Sequence, residues 1–135
     1  MRRLLLALIV AGALVGIPVY AHHSFAAQYF EEQTLSIEGE LVEFEYRSPH
    51  AWVHVMAKDE NGQMQRFSAE WASPNRLSQQ SVGKDTLKPG DRLVISGSPA
   101  RNASERKLHL KQIERPADGW KVGRGPPRRA LTEGK

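Results

Sequence analysis

The chain has 135 residues, no cysteine and a formal charge of +4. That length allows one domain, and the missing cysteine excludes disulfides, zinc–thiolate sites, iron–sulfur clusters and thiol nucleophiles together. Hydrophobic residues at 40% and charged residues at 25% are ordinary globular values and exclude wholesale disorder.

Residues 1–21 read as a secretory signal peptide. Arg2 and Arg3 make a positive n-region, Leu4 to Val15 an apolar run of 12 residues, and Val19 and Ala21 occupy the −3 and −1 places of a cleavage site. The apolar run falls short of the roughly 20 residues that a spanning helix needs. Cleavage after Ala21 is expected to leave His22 as the amino terminus of a protein exported to a bacterial periplasm, with no stable membrane insertion. A cut after Ala26 or Ala27 is the competitor, and it would discard both His22 and His23. With the leader set aside, residues 22–115 carry 12 Lys/Arg against 13 Asp/Glu, and residues 116–135 carry a net +3. The positive charge belongs to the ends. A nucleic-acid partner is therefore disfavoured, since that function asks for a basic face on the folded body.

In chain order, residues 22–33 form a lead-in suited to a helical turn or to draping over the body. Leu35 to Tyr46 reads as a long strand. Its apolar parity flips after Gly39-Glu40, which predicts a β-bulge there. Ala51 to Lys58 and Gln63 to Ala72 are two strands joined at Asn61-Gly62, a strong hairpin signal. A two-residue loop would set Glu60 opposite Gln63 and Trp52 opposite Trp71. One face would then carry His50, Trp52, His54, Met56, Phe67, Ala69 and Trp71, and the other Ala51, Val53, Val55, Ala57, Ser68 and Glu70. The unbroken alternation of Ala51, Val53, Val55 and Ala57 favours that second face as the interior, and plain aromatic core is the alternative. Ser73-Pro74 starts a short helix, with Ser73 as N-cap and Pro74 in the first turn. Leu87 to Asp91 holds a type II turn. Arg92 to Ser96 and Lys107 to Glu114 are the last strands, and Pro116 onward reads as a flexible basic tail. The order predicts an all-β protein: a monomeric five-stranded OB-fold-like barrel over residues 34–115, with one short helix between strands 3 and 4.

Four of the five histidines fall in two clusters, His22/His23 and His50/His54. A histidine at a free amino terminus chelates a metal through its α-amine and its ring, which no internal residue can do. A further imidazole completes a nitrogen-rich tetragonal site, the geometry that suits copper(II). A start at Ala21 instead would put His23 in third place, another nitrogen site for copper or nickel. The plainer reading of His22 and His23 is a solvated terminus. His50 and His54 share one strand face about 13 Å apart, so at most one of them is expected to join His22. His109 reads as solvated. On the hairpin, Trp52, Phe67 and Trp71 form a candidate binding surface, with Glu70 needing a partner or a metal if it faces inward. Phe25, Tyr29 and Phe30 are suited to cover that surface and so to draw His22 toward His50 or His54. No G-x-S-x-G, H-E-x-x-H or phosphate-cradling loop is present, and no enzyme reading is supported.

His22-His23-Ser24-Phe25, Pro49-His50-Ala51-Trp52, Ser73-Pro74-Asn75 and Leu87-Lys88-Pro89-Gly90-Asp91 together resemble a family of small exported bacterial proteins of unknown function, DUF6152. Where many members have Gly-Trp before the lysine-led turn, this chain has Val82-Gly83. The resemblance implies the compartment and the fold, and no activity. The leading functional expectation is a periplasmic copper-binding protein using His22, with His23 and one of His50 or His54, in sequestration or delivery. The rival is a module binding a peptide, glycan or periplasmic protein partner across the aromatic hairpin face.

Overall fold

The structure, a computed structural model, describes residues 25–124. The expected signal peptide, His22, His23 and residues 125–135 lie outside it. No helix among the described residues is long and apolar enough to cross a membrane.

The described chain begins with a short helix α1 (Phe25–Gln28) and continues into strands β1 (Leu35–Glu45), β2 (Trp52–Lys58) and β3 (Met64–Glu70). Helix α2 (Pro74–Ser78) leads to β4 (Arg92–Pro99), β5 (Lys107–Arg115) and β6 (Trp120–Gly123). The sheet order is β3-β2-β1-β4-β5-β6, and β3 also pairs with β5. That pairing is parallel, while the other strand pairs are antiparallel, so strands β1 to β5 close into a barrel. This is the five-stranded OB-type barrel expected from the order of elements.

The core follows from strand parity. Ile37 and Leu41, then Ala51, Val53, Val55 and Ala57, point inward, as do Leu93, Ile95, Leu108 and Ile113. Helix α2 adds Leu77, and the loop behind it adds Val82 and Leu87. Ser73 caps α2 through its side chain, which accepts from Arg76 N, and Pro74 sits in the first turn. The turn before β4 closes with Asp91 N donating to Lys88 O at 3.0 Å, and Gly90 takes the positive φ of 94° that a type II turn requires.

Three expectations are corrected. The bulge in β1 is not at Gly39-Glu40. Gly39 stays in register opposite Ala57, and the irregularity lies between Leu41 and Glu43, which leaves Val42 as the extra residue. Gly39 serves close approach instead: a Cβ there would press into the Met56 carbonyl oxygen and meet Ala57 Cβ at 3.0 Å. The apolar parity does flip within β1, but at Val42, two residues beyond Glu40.

The hairpin register is off by one. Asp59 N donates to Gln63 O at 2.8 Å and Gly62 N to Asp59 O at 3.0 Å, so the loop is the three residues Glu60-Asn61-Gly62. Gly62 has φ 75°, the left-handed residue that follows a type I turn in such loops. Asp59 Oδ1 selects this loop by accepting from the N–H groups of Asn61 and Gln63, each at 2.9 Å. His54 therefore pairs with Ser68 and Trp52 with Glu70. A one-residue slip moves every β3 side chain to the other face. Phe67, Ala69 and Trp71 join the core, and Ser68 and Glu70 pass to the outer face.

The tail does not begin at Pro116. Residues 116–119 turn the chain back and β6 pairs with β5, Arg115 opposite Trp120. Asp118 accepts from Trp120 N at 3.1 Å, and Gly119 has φ 74°. The Arg115 guanidinium holds the hairpin to the body, donating to Asp118, Asp91 and the Thr86 carbonyl at 2.9 Å each.

Replacing Gly39 with alanine is expected to force β1 and β2 apart at the Met56 carbonyl. Overpacking of this kind costs about 2 kcal/mol, which lowers the unfolding midpoint of a domain this size by roughly 10 °C. Thermal denaturation followed by circular dichroism checks it. An unchanged midpoint would show that the close approach is not constraining.

Candidate functional site

The lead-in is bolted to the barrel. Tyr29 bridges to Ala100 and is fully buried. Phe30 N donates to Pro99 O and Arg101 N to Gln28 O, both at 2.9 Å. The Arg101 side chain donates to Ala26 O at 2.7 Å, and its guanidinium lies 4.6 Å from the Phe30 ring centre. Lys111 Nζ donates to the carbonyls of Glu31 and Gln33 at 3.0 and 2.9 Å. From Phe25 onward the lead-in does both things expected of it: Phe25–Gln28 forms a helical turn, and the segment drapes over the barrel.

Barrel closure then assembles a polar row beneath this strap. In the parallel β3–β5 pairing Glu70 faces His109, and in the β4–β5 pairing Ser98 faces His109. Directly paired residues share a face of the sheet. Glu70 Oε1 contacts His50 Nδ1 at 2.9 Å, and Glu70 Oε2 accepts from the Tyr29 hydroxyl at 2.6 Å. His109 Nδ1 contacts Glu31 Oε1 at 2.8 Å. Phe25 stacks on His109, with ring centres 3.7 Å apart and planes 4° from parallel, and lies 5.2 Å from the His50 ring. Burial, followed by the hydrogen bond to Glu70 and its charge, pushes the Tyr29 phenol well above its ordinary range.

The expected site residues separate into two places. His50 and Glu70 sit under the lead-in. His54 and Trp52 stand apart from it, their rings stacked 6.4 Å apart and 6° from parallel. His54 is buried, with Nδ1 at 2.7 Å from Ser68 Oγ and Nε2 at 3.0 Å from Glu45 Oε1. Both of its nitrogens are thus engaged. His54, Glu43 and Glu45 bring ligand atoms within 4.8 Å of one another. Arg66 neutralises Glu43 at 3.2 Å, and Arg47 neutralises Glu45 at 2.7 Å. Phe67 and Trp71 are core, so the expected binding surface of Trp52, Phe67 and Trp71 is split and only Trp52 remains on the exterior.

Phe25 and Tyr29 do not cover the expected surface of Trp52, His54, Phe67 and Trp71; they lie against His50, Glu70 and His109 instead. His109 is not solvated. Its imidazole is half-buried beneath the strap. The alternation Lys107-His109-Lys111 places it correctly on the outer face, yet nothing local announces that residues 25–31 return to cover it. Tyr29 and Glu31 were likewise missed as its neighbours.

Residues 10–109 match the model of a family of unknown function, DUF6152. The chain belongs to that family. No curated protein matches it. Among solved structures it is similar to the mitochondrial single-stranded DNA binding protein Rim1 of S. cerevisiae, at 14% identity and a TM-score of 0.45, covering 69% of this chain and 96% of that one. It is also similar to apo TiaS, a tRNAIle2 agmatidine synthetase, at 14% identity and a TM-score of 0.42, covering 62% of this chain and 18% of that one.

The Tyr29–Glu70 bond carries a sign-specific prediction. A phenol whose folded-state pKa lies above its unfolded value stabilises fully below pH 10. That contribution is lost as pH rises, because the unfolded chain releases the proton first. Tyr29→Phe is expected to cost about 2 kcal/mol at pH 7, through the lost hydrogen bond to a charged group. Above pH 10 the gap between wild type and variant should narrow by about 1.4 kcal/mol per pH unit. Urea unfolding of both proteins from pH 8 to 11 checks this, and a constant gap would contradict it.

Proposed function

We propose that this protein is an exported, periplasmic copper(II)-binding protein for sequestration or delivery. His22, as the mature amino terminus, supplies its α-amine and ring, and His50 is the imidazole that the barrel supplies. The observation that carries this reading is the seat of Phe25 against His50. His22 is three residues upstream, which limits its distance from Phe25 to about 11 Å even in a fully extended chain.

The chemistry of His50 supports the assignment. Its Nδ1 faces the Glu70 carboxylate at 2.9 Å, the outer partner that metal-binding histidines characteristically have, and this arrangement leaves Nε2 for a metal. His54 has both nitrogens engaged and takes no part. His23 adds a second ring beside the terminus. An all-nitrogen donor set favours copper(II) over harder cations. The rival reading, a peptide, glycan or protein bound on the aromatic face, is left with Trp52 alone.

Titration calorimetry of copper(II) into protein beginning at His22 tests the reading. A companion protein carries three extra residues, so that the amine leaves His22 and neither His22 nor His23 becomes third in the chain. The extension is expected to weaken binding at least tenfold. Equal affinity in the two proteins would overturn the role of the terminal histidine.

A further inference from the structure

We infer that the barrel mouth between the β2–β3 loop, the β4–β5 loop and the start of β1 binds a small amphipathic organic acid. Its apolar body lies in the mouth and its carboxylate meets Arg106 and Lys58. The cleft there measures about 710 Å³ and shares no residue with the proposed copper site. Small-molecule sites typically fall between roughly 300 and 1,000 Å³. The core opens to solvent at this end. Ile37, Phe67 and Ala100 keep 8%, 9% and 8% of their surface exposed, and every other buried hydrophobic residue keeps 6% or less. All three line the cleft. Leu35 lines it too, with the inward parity of Ile37, yet it is 41% exposed. It stands at the mouth, and its partner on β4 is Gly97, which has no side chain to cover it.

The walls are held by backbone bonds, so little ordering is needed on binding. Phe30 N donates to Pro99 O, Ser68 N to Arg106 O and Ala100 N to Lys107 O, at 2.9, 2.9 and 3.1 Å. The rim fixes the class of ligand. Two of its acids are already engaged: Asp59 Oδ1 accepts the N–H groups of Asn61 and Gln63, and Glu105 holds Lys107 at 2.6 Å. Arg106 and Lys58 line the same cleft and enter no ion pair among the described residues. Against these two unpaired cations stands one unpaired acid, Glu60. The spare capacity of the rim is therefore mostly for donating hydrogen bonds. A carboxylate suits the planar fork of a guanidinium, and a hydrocarbon body suits the apolar floor.

The test titrates decanoate, and separately decanol, into protein beginning at His22 and follows the backbone amides by NMR. Decanoate is expected to shift the amides of Leu35, Ile37, Lys58, Phe67 and Arg106 together and saturably. Arg106→Gln is expected to weaken decanoate binding about fivefold and to leave decanol unchanged. Leu35→Asn is expected to weaken both about fivefold, and Glu60→Gln to tighten decanoate about twofold. All three side chains are exposed, so none of these changes threatens the fold. The inference is overturned by shifts centred elsewhere, by no saturable shift, or by unchanged decanoate affinity in Arg106→Gln. Decanol binding as tightly as decanoate would also overturn it, by showing a site for any hydrocarbon. Shifts of the same amides on raising protein concentration alone would assign the cleft to a second copy of the chain and overturn it too. The copper reading is decided by its own titration and is untouched by these results.

Discussion

The Glu70 carboxylate ties the lead-in of the chain to the closing seam of the barrel. One oxygen accepts a hydrogen bond from the buried Tyr29 hydroxyl and the other faces His50. The residue stands at the last rung of the parallel β3–β5 ladder, opposite His109. The lead-in is held by polar contacts at both ends: Arg101 grips Ala26, and Lys111 grips the carbonyls of Glu31 and Gln33. Without Glu70 in its outward position, Tyr29 would be a buried phenol with no acceptor and His50 would have no carboxylate. That outward position depends in turn on the three-residue hairpin loop, since a two-residue loop would have turned Glu70 into the core.

Much of the barrel was legible because its signals are local. Ser73-Pro74, the Pro89-Gly90 turn and the alternation of Ala51, Val53, Val55 and Ala57 each dictate structure within a few residues. The hairpin shows the limit of that logic. Asn61-Gly62 marks a turn but admits two loop lengths, and the Asp59 side chain decides between them by accepting two backbone N–H groups. A similar local signal, Asp118-Gly119, was present at the β5–β6 turn and was outweighed by the glycine and proline content around it.

The site was harder to read because closure makes it. Tyr29 and Glu70 are 41 residues apart, and Glu31 and His109 are 78 apart. Periodicity can assign His109 to an outer face but cannot report that a distant segment covers that face. His50 was legible as a candidate through its motif and position. His50 lies just before β2 and His54 within it, and the two histidines end in different chemistry. His54 is satisfied by Ser68 and Glu45, and His50 is aimed under the strap that leads back to His22.

The proposed copper(II) site lies where the lead-in crosses His50. Crystals of the protein beginning at His22, grown with copper(II) and measured on both sides of the copper absorption edge, test it most directly. The expected result is an anomalous peak in bonding contact with His50 Nε2 and the α-amine of His22. A peak among Glu43, Glu45 and His54, or no peak at full copper loading, would contradict it.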